Sequence, residues 1–280
     1  AQNINCKSIA AHLDKDKYEV KTLILGNDNI PNIPDLRYIS VSTFLYKLSN
    51  LLAFLRGTLW ADIIYVPKHQ STPKLSLKIA NIFGKKIFTT IEGNMCDMTV
   101  KSMIDSFGSK INMTNYFKHI PNIYGITKHL VKTSNCGVKL NPEVLLLGVE
   151  QHLFKNESTK KILKNIIFVG SLTKRKKIDE ILEVASCFSE VNFHIVGDGE
   201  LRVDLENESS ENVIFHGKQP HNMMSELFSK MDLHILLSRS EGFPKVILET
   251  ASSSIPSIVY DSYGANSWIE NNENGFVLSK

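Results

Sequence analysis

The chain has 280 residues, of which 42% are apolar and 22% are charged, and its formal net charge is +3. This composition is ordinary for a soluble globular protein, and the charge is too balanced to indicate a nucleic-acid partner by itself. No apolar run reaches the length of a bilayer span, and no secretory signal pattern opens the chain. The length suggests two domains, and we expect a cytoplasmic protein.

The cysteines are far apart in the sequence and form no CxxC pair or Cys/His cluster. They are Cys6, Cys96, Cys136 and Cys187. This spacing argues against structural zinc and against a disulfide framework, and it favours a reducing compartment.

Short β-branched or aliphatic segments alternate with segments of helical spacing along the whole chain. In the first half, the predicted strands are YEVKTLIL (18–25), ADIIYV (61–66), KKIFTTI (85–91), NIYGIT (122–127) and EVLLLGV (143–149). In the second half, they are NIIFVGS (165–171), VNFHIVG (191–197), NVIFHG (212–217), LHILLS (233–238), PSIVY (256–260) and GFVLS (275–279). Near-continuous apolar strands of this kind are typical of parallel sheets covered by helices on both faces.

The pattern predicts an α/β protein with two tandem, Rossmann-like, doubly wound parallel-sheet domains and a cleft between them. A polar, lysine-rich connector at 150–165 separates the two series of strands, so we place the domains at 1–152 and 153–280. In such sheets, ligands bind beyond the carboxyl ends of the strands. The chain opens on a helix with no strand before it and stops just after a strand, which we interpret as a fold clipped at both ends.

The first half offers few residues for chemistry. The DKD sequence at 14–16 imitates a metal-binding DxD motif, but it follows a helix and is interpreted as a loop. His69, His129 and His152 could line the cleft, although a packed or solvent-facing side chain is the more common state of a lone histidine.

Residues 42–60, STFLYKLSNLLAFLRGTLW, form an amphipathic helical pattern with Lys47 and Arg56 off the apolar stripe. A helix of this kind could lie on a membrane beside a lipid-linked acceptor. Packing of the apolar stripe against the protein's own sheet is the more common use of such a pattern. Both interpretations stay open.

Four consecutive basic residues, Lys174–Lys177, follow the strand at 165–171 and lead into a helix. Exposed cations at a helix N-terminus oppose the helix dipole by about 0.3–1 kcal/mol each. An anion such as a diphosphate at the same place would explain the run. A solvated surface run explains it equally well.

Two glycines, Gly197 and Gly199, follow the next strand in the segment HIVGDGELR. They would let the backbone approach a ligand closely. The third glycine of the dinucleotide-binding fingerprint is absent, because position 202 is arginine. A tight turn is the more common role of an isolated GxG pair.

The segment SEGFPKVILE places one carboxylate, Glu241, before a Gly-Phe-Pro turn and a second, Glu249, inside the helix that follows. Pro244 suits the first helical position, where its missing N–H is tolerated. The free amides of Lys245 and Val246 would then form an anion site at the helix N-terminus. The alternative is an exposed i,i+4 ion pair between Lys245 and Glu249, which would stabilise the helix only slightly.

In this order, the three segments resemble the retaining glycosyltransferases of family 4, also called glycosyl transferases group 1, which have the GT-B fold. The resemblance covers 166–279, and the E-x7-E spacing of Glu241 and Glu249 is its most specific part. A weaker resemblance runs through the first half, in AQNINCKSIAAHL, TTIEGN, YGITKHLVK and LLLGVEQHLF.

The resemblance implies a role for each matching residue. Glu241 would face the donor sugar as a catalytic carboxylate, Lys176 would neutralise the leaving diphosphate, and Glu249 would bind the ribose hydroxyls. The other implied donor-binding residues are Gly170, Ser171, Arg175, Gly197, Gly217, Gly242, Phe243, Pro244, Lys245 and Val246. The resemblance also implies a nucleoside diphosphate sugar as donor, no metal and no cofactor, with the acceptor on the N-terminal side.

Two positions differ from the family pattern. Ser171 stands where an arginine often follows the strand-ending glycine, so the positive charge on the leaving group must come from Lys174, Arg175 or Lys176. Glu92, in TIEGN, replaces a histidine, so contacts of the first domain with the donor sugar are expected to differ.

We therefore predict a retaining glycosyltransferase that moves a sugar to a glycan or lipid-linked acceptor in surface polysaccharide or glycoconjugate synthesis. Peripheral contact with a membrane is compatible with this function, and no nucleic-acid partner is expected. Two alternatives stay open: a non-catalytic sugar-nucleotide-binding module, and a Rossmann oxidoreductase that uses VGDGE. The missing third glycine argues against the oxidoreductase.

Overall fold

A computed structural model describes residues 2–26, 35–67, 69–96, 103–134, 136–154 and 162–279. The chain divides into two units, Ala1–Leu147 and Gly148–Lys280, called the N-terminal and C-terminal units below. The sequence places the boundary slightly later, after residue 152. In the structure Phe154 is 1% exposed and belongs to an apolar cluster of the C-terminal unit.

The N-terminal unit alternates helices with strands that pair in parallel. Its described helices are α1 (Gln2–His12), α2 (Tyr46–Trp60), α3 (Lys74–Ile82), α4 (Met103–Phe107), α5 (Lys110–Phe117) and α6 (Lys128–Thr133). Its described strands are β1 (Lys21–Leu25), β2 (Arg37–Val41), β3 (Ile63–Tyr65), β4 (Lys86–Ile91), β5 (Asn122–Gly125) and β6 (Asn141–Val144). They form a two-stranded sheet, β1-β2, and a four-stranded sheet of order β3-β4-β5-β6.

Two strands of this unit differ from the sequence prediction. β2 was not predicted, because RYISV is short and partly exposed and therefore lacks a continuous apolar run. β6 includes Pro142 and overlaps the predicted strand 143–149 only at its first two residues, since it both begins and ends earlier. Proline has no N–H for a sheet hydrogen bond, and β6 tolerates it because it is an edge strand of the described sheet.

A disulfide joins Cys96 to Cys136, so the prediction of no disulfide was wrong. The two residues are 40 positions apart, and their Cα atoms lie 5.4 Å apart because the loops after β4 and α6 meet. The spacing of cysteines in the sequence does not reveal a disulfide between two residues that only the fold brings together. The prediction of a reducing compartment therefore loses the support that it took from cysteine spacing.

The C-terminal unit contains one six-stranded parallel sheet, and every strand predicted for it is present. Its described helices are α7 (Ile178–Cys187), α8 (Arg202–Glu208), α9 (Met224–Phe228) and α10 (Lys245–Ser252). Its described strands are β7 (Asn165–Val169), β8 (Asn192–Val196), β9 (Val213–Gly217), β10 (Leu233–Leu236), β11 (Ser257–Tyr260) and β12 (Gly275–Leu278).

The strand order of this sheet is β12-β11-β10-β7-β8-β9. The chain builds outward from β7 to β9, returns to the other side of β7, and builds outward again from β10 to β12. The order therefore reverses between β7 and β10, as in a doubly wound sheet. This arrangement confirms the predicted fold class.

Apolar side chains of β7 alternate between the two faces of the sheet. Ile166 and Phe168 belong to the cluster that includes Ile178 and Ile181 of α7. Ile167, between them, belongs to a second cluster with residues of α9 and the preceding connector. Successive strand residues point to opposite faces, so a strand buried on both faces has the unbroken apolar sequence seen here.

Among the residues that the structure describes, no helix is both long enough and apolar enough to cross a bilayer.

Candidate functional site

The predicted site residues lie where the strand order of the C-terminal sheet reverses. The loop at 170–177 follows β7, and the loop at 237–244 follows the neighbouring strand β10. A backbone hydrogen bond from Arg239 N to Arg175 O, 2.9 Å long, joins the two loops. The carboxyl edge of a doubly wound sheet at its reversal point is the usual ligand position, so the topology itself selects this place.

A carboxylate with two cations forms the centre of this site. Lys176 Nζ donates to Glu241 Oε1 at 2.6 Å, and Arg175 Nη1 donates to the same oxygen at 2.8 Å. Arg175 also donates to the carbonyl oxygen of Ser240. The Lys176 and Glu241 side chains are only 9% and 11% exposed. With the carboxylate ionised, the three side chains together retain one positive charge that can attract an anion.

Burial and charge act in opposite directions on this pair. Burial alone would raise the pKa of Glu241, but Lys176 and Arg175 outweigh it and lower that pKa below its ordinary value. Burial lowers the pKa of Lys176, and Glu241 opposes this shift. Glu241 is therefore held as a carboxylate by its two neighbours.

The four consecutive basic residues have three different environments. Lys174 is exposed, whereas Arg175 and Lys176 point to Glu241 from the 3-10 helix Lys174–Lys176. Lys177 has a left-handed backbone, φ 55°, and its ammonium pairs with Glu180 in the first turn of α7 at 2.5 Å. The run is neither a uniform surface patch nor a uniform anion site.

The helix α10 begins one residue later than predicted. Pro244 is the N-cap residue, with ψ 99°, and not the first helical residue. Ile247 N donates to Pro244 O at 3.0 Å. The predicted anion site at the amides of Lys245 and Val246, the first two helical residues, stays a prediction.

Glu249 is buried at 8% exposure and is not part of an exposed ion pair. Its Oε1 lies 3.1 Å from Nε2 of His221, at the start of the 3-10 helix His221–Met223 after β9. Sequence reasoning missed His221. The available signal was weak: a Pro-His pair three residues after the strand-ending Gly217.

The predicted glycines separate into different roles. Gly197 has φ +139°, and a Cβ there would lie 1.8 Å from Gly170 O. It is required for the close packing of two loops, which is a structural reason independent of any ligand. A Cβ added at Gly170 would lie 3.4 Å from Nζ of Lys176. Gly217 has φ +66°, and a Cβ added there would lie 2.9 Å from Nη1 of Arg202. Their donor-binding roles stay predictions.

The remaining predicted donor-binding residues lie on the same loops. Ser171 is exposed, next to Gly170, and Gly242 is buried. Phe243 is half-buried and packs on Trp268, with the ring centroids 4.8 Å apart. The structure therefore brings all of the predicted site residues to the carboxyl edge of one sheet, and it leaves their contacts with a donor as predictions.

The candidates of the N-terminal unit are mostly structural. His69 is buried, its Nε2 lies 2.6 Å from Thr89 Oγ1, and burial lowers its pKa to about 4. It packs edge-on against Phe117. Asp14 closes a turn by pairing with Lys17 at 2.9 Å, which agrees with the interpretation of DKD as a loop.

Two further histidine candidates and Glu92 acquire no defined role. His129 is half-buried on α6, and His152 is exposed in the C-terminal unit. Glu92 is half-buried and accepts a long hydrogen bond, 3.4 Å, from Thr90.

Comparison with known proteins agrees with this geometry. Residues 150–280 match the family model described as Glycosyl transferases group 1. An uncharacterised glycosyltransferase of Methanocaldococcus jannaschii is 24% identical over 98% of this chain and 77% of its own length. The O-antigen biosynthesis glycosyltransferase WbnH of Escherichia coli is 31% identical over 49% of this chain and 40% of its own length.

A solved structure has the same fold over the whole chain. Sucrose-phosphate synthase from Thermosynechococcus elongatus superimposes with a TM-score of 0.80 over 100% of this chain and 80% of its own chain, at 14% identity. At this identity the similarity shows the fold alone. The match of residues 150–280 to the family model, together with the E-x7-E segment at the reversal point, agrees with the family resemblance seen in the sequence.

Proposed function

We propose that the chain is part of a retaining glycosyltransferase that moves a sugar from a nucleoside diphosphate to a glycan or lipid-linked acceptor. The observation that carries the proposal is the Glu241 carboxylate with its two cations, the buried Lys176 and the half-buried Arg175, just before the helix α10. The kinship with an O-antigen glycosyltransferase supports an acceptor in surface polysaccharide or glycoconjugate synthesis.

The proposed mechanism is electrostatic. As the bond between the sugar and the diphosphate breaks, negative charge grows on the leaving phosphate. Lys176, Arg175 and the first amides of α10 would stabilise this charge, and Glu241 would face the positive charge that develops on the sugar. Two fixed cations supply the charge that a metal ion supplies in other phosphate sites, so the proposed reaction needs no metal cofactor.

Glu249 would hold the nucleotide. A carboxylate on a rigid helix can accept hydrogen bonds from both hydroxyls of a ribose, and burial protects these bonds from competition with water. In this arrangement, Glu249 fixes one end of the donor while Lys176 and Arg175 act on the other end.

A screen of donor turnover tests the proposal. The protein is incubated with UDP-, GDP- and ADP-sugars, release of the nucleoside diphosphate is followed, and NMR identifies the anomer of the transferred or hydrolysed sugar. Release of nucleotide with retained configuration supports the proposal. Inverted configuration contradicts retention, and tight binding without turnover favours a non-catalytic module.

Peripheral contact with an anionic membrane forms a second part of the proposal. Leu48, Leu52 and Leu59 of α2 are 54%, 52% and 57% exposed and lie on one helix face. Phe44 and Leu45, just before the helix, are 79% and 64% exposed. The more common arrangement, in which the whole apolar stripe packs on the sheet, is therefore not what the structure has.

The charge around this face favours a negative partner. α2 contains Lys47 and Arg56, the adjacent α3 contains Lys74 and Lys78, and neither helix contains an acidic residue. Exposed apolar side chains on a helix whose charged residues are all basic are typical of helices that lie in the interface of an anionic bilayer. Such a position would bring the protein to a lipid-linked acceptor.

A further inference from the structure

The contact between His221 and Glu249 has no place in the proposed reaction as described above. Glu249 is 8% exposed, and its Oε1 lies 3.1 Å from Nε2 of His221. The His221 side chain is 40% exposed, so the imidazole is the more accessible partner of the two. A carboxylate oxygen only accepts hydrogen bonds, and the imidazole Nε2 must therefore donate.

The imidazole is held from a second direction. Its ring meets the Phe154 ring edge-on, with centroids 5.4 Å apart and an interplanar angle of 78°. Phe154 is 1% exposed, and its carbonyl oxygen accepts a hydrogen bond of 2.7 Å from Ser253 Oγ, at the end of α10. The connector before β7 and the helix that carries Glu249 thus fix the imidazole together.

The backbone at His221 also limits where the ring can go. Pro220 precedes it, with φ −62° and ψ 144°, and the 3-10 helix His221–Met223 begins directly after it. The ring therefore projects from a defined turn at the carboxyl end of β9. One hydrogen bond from a fixed donor orients the plane of a carboxylate, which would otherwise rotate about its last side-chain bond.

We propose that His221 is a positioning residue that orients the Glu249 carboxylate for a ribose diol and thereby makes nucleotide binding selective for ribose over deoxyribose. The inference rests on the proposed role of Glu249 in nucleotide binding. The hydrogen bond from His221 occupies one lone pair of Oε1, and the remaining lone pairs of both oxygens stay available to the two hydroxyls.

The experiment compares a nucleoside diphosphate with its 2′,3′-dideoxy counterpart by calorimetric titration. UDP, GDP and ADP are each titrated into the wild-type protein, and the one that binds is used for the variants. His221→Ala should weaken binding of the ribonucleotide about 5- to 10-fold, since a misoriented carboxylate loses part of a charge-assisted hydrogen bond. Binding of the dideoxynucleotide should change less than about 2-fold, because it has no hydroxyl to lose.

Two further variants separate positioning from a general structural effect. His221→Gln places an amide nitrogen near the position of Nε2 and should restore most of the ribose preference. Asn222→Ala, an exposed neighbour on the same turn, should leave both affinities unchanged. In a Glu249→Gln background, His221→Ala should have no additional effect on the preference, because the two residues act as one unit.

Failure of this inference differs from failure of the proposed function. If the wild-type protein binds a nucleoside diphosphate with a clear ribose preference and His221→Ala keeps that preference, His221 does not position Glu249. Equal weakening of both nucleotides also overturns the inference, because it indicates a structural role. If the wild-type protein binds none of the three nucleoside diphosphates, the proposed function and the inference both fail.

Discussion

At the scale of single residues, the site depends on charges that are buried together. Lys176 is 7% exposed, and an ammonium at that depth is stable only because Glu241 accepts its hydrogen bond at 2.6 Å. Its neighbour Lys174 is exposed to solvent. Two lysines two positions apart therefore have different environments, and a comparison of their variants isolates the effect of the buried position.

Lys176→Ala should lower kcat about 10²- to 10³-fold, as the loss of one fixed charge in a water-excluded site does elsewhere. The donor KM should change much less, because charge on the leaving diphosphate is greatest in the transition state. Steady-state kinetics with the donor found by screening checks this expectation.

Lys174→Ala is the matched control and should leave both constants nearly unchanged. If Lys176→Ala raises only the donor KM, Lys176 binds the donor equally in both states, and Arg175 becomes the residue that assists departure.

At the scale of elements, the two loops after β7 and β8 pack backbone against backbone. Leu172 N donates to Asp198 O at 3.0 Å, and Gly170 N donates to Val196 O at 2.9 Å. Only a residue without a Cβ fits at Gly197. The loop that carries Arg175 and Lys176 thus takes its position from its neighbour, and the glycine is required by packing whatever its contact with a donor.

Gly197→Ala should destabilise the C-terminal unit by about 3 kcal/mol or more, since backbone strain and overpacking add at this position. Gly217→Ala is the matched comparison: it also has a positive φ, but a Cβ there would meet the mobile end of Arg202. We expect about 1–2 kcal/mol for Gly217→Ala. Denaturant unfolding measures both, and equal losses would show that the close approach at Gly197 is unimportant.

The exposed apolar face of α2 is the other feature at this scale. Replacing Leu48, Leu52 and Leu59 with serine should lower binding to phosphatidylglycerol vesicles at least about 10-fold, since each half-exposed leucine contributes on the order of 1 kcal/mol on burial. Binding to phosphatidylcholine vesicles should be weak in both proteins, because the cations of α2 and α3 then lack a partner. Vesicle sedimentation measures the bound fraction.

The control replaces three exposed apolar residues of the other unit, Val184, Phe188 and Val203, with serine. It should sediment with vesicles like the wild-type protein. Equal binding by the variant of α2 would mean that this face meets something other than a lipid surface.

At the scale of the whole molecule, the two units are stabilised differently. The N-terminal unit has a cross-link between Cys96 and Cys136, whereas the other two cysteines, Cys6 and Cys187, form no disulfide. Each unit also contains one of the two tryptophans, Trp60 and Trp268. Single-tryptophan variants can therefore report on each unit separately.

Reduction of the disulfide should destabilise the N-terminal unit by about 4 kcal/mol, the loop-closure estimate for a separation of 40 residues. In a Trp268→Phe variant, the thermal midpoint reported by Trp60 should fall on addition of a phosphine reductant. In a Trp60→Phe variant, the midpoint reported by Trp268 should shift less.

A protein with both Cys96 and Cys136 replaced by serine provides the control, because its unfolding should not respond to the reductant. If the Trp60 midpoint of the protein with its cysteines intact is the same with and without reductant, the cross-link does not stabilise this unit.

The sequence by itself was enough to predict the features that depend on the local pattern of apolar and polar residues. Ten of the eleven predicted strands correspond to strands in the structure, because buried parallel strands need an apolar residue at nearly every position, and the eleventh overlaps β6 by two residues. The E-x7-E spacing places Glu241 before α10 and Glu249 within it, since both positions belong to one continuous strand-turn-helix segment. A short, half-exposed strand such as β2 lacks this pattern and was missed.

The tertiary structure alone decided which distant side chains meet. Lys176 and Glu241 are 65 positions apart, His221 and Glu249 are 28 apart, and the disulfide spans 40. Each contact depends on which loops the fold brings together. At the site, the order of the strands in the C-terminal sheet decides which loops are neighbours. Residue spacing cannot encode it, because neighbours in a sheet are chosen by packing of whole strands and helices. For this reason the sequence indicated the family and the carboxylates, while the partners that hold those carboxylates in place became visible only in the folded chain.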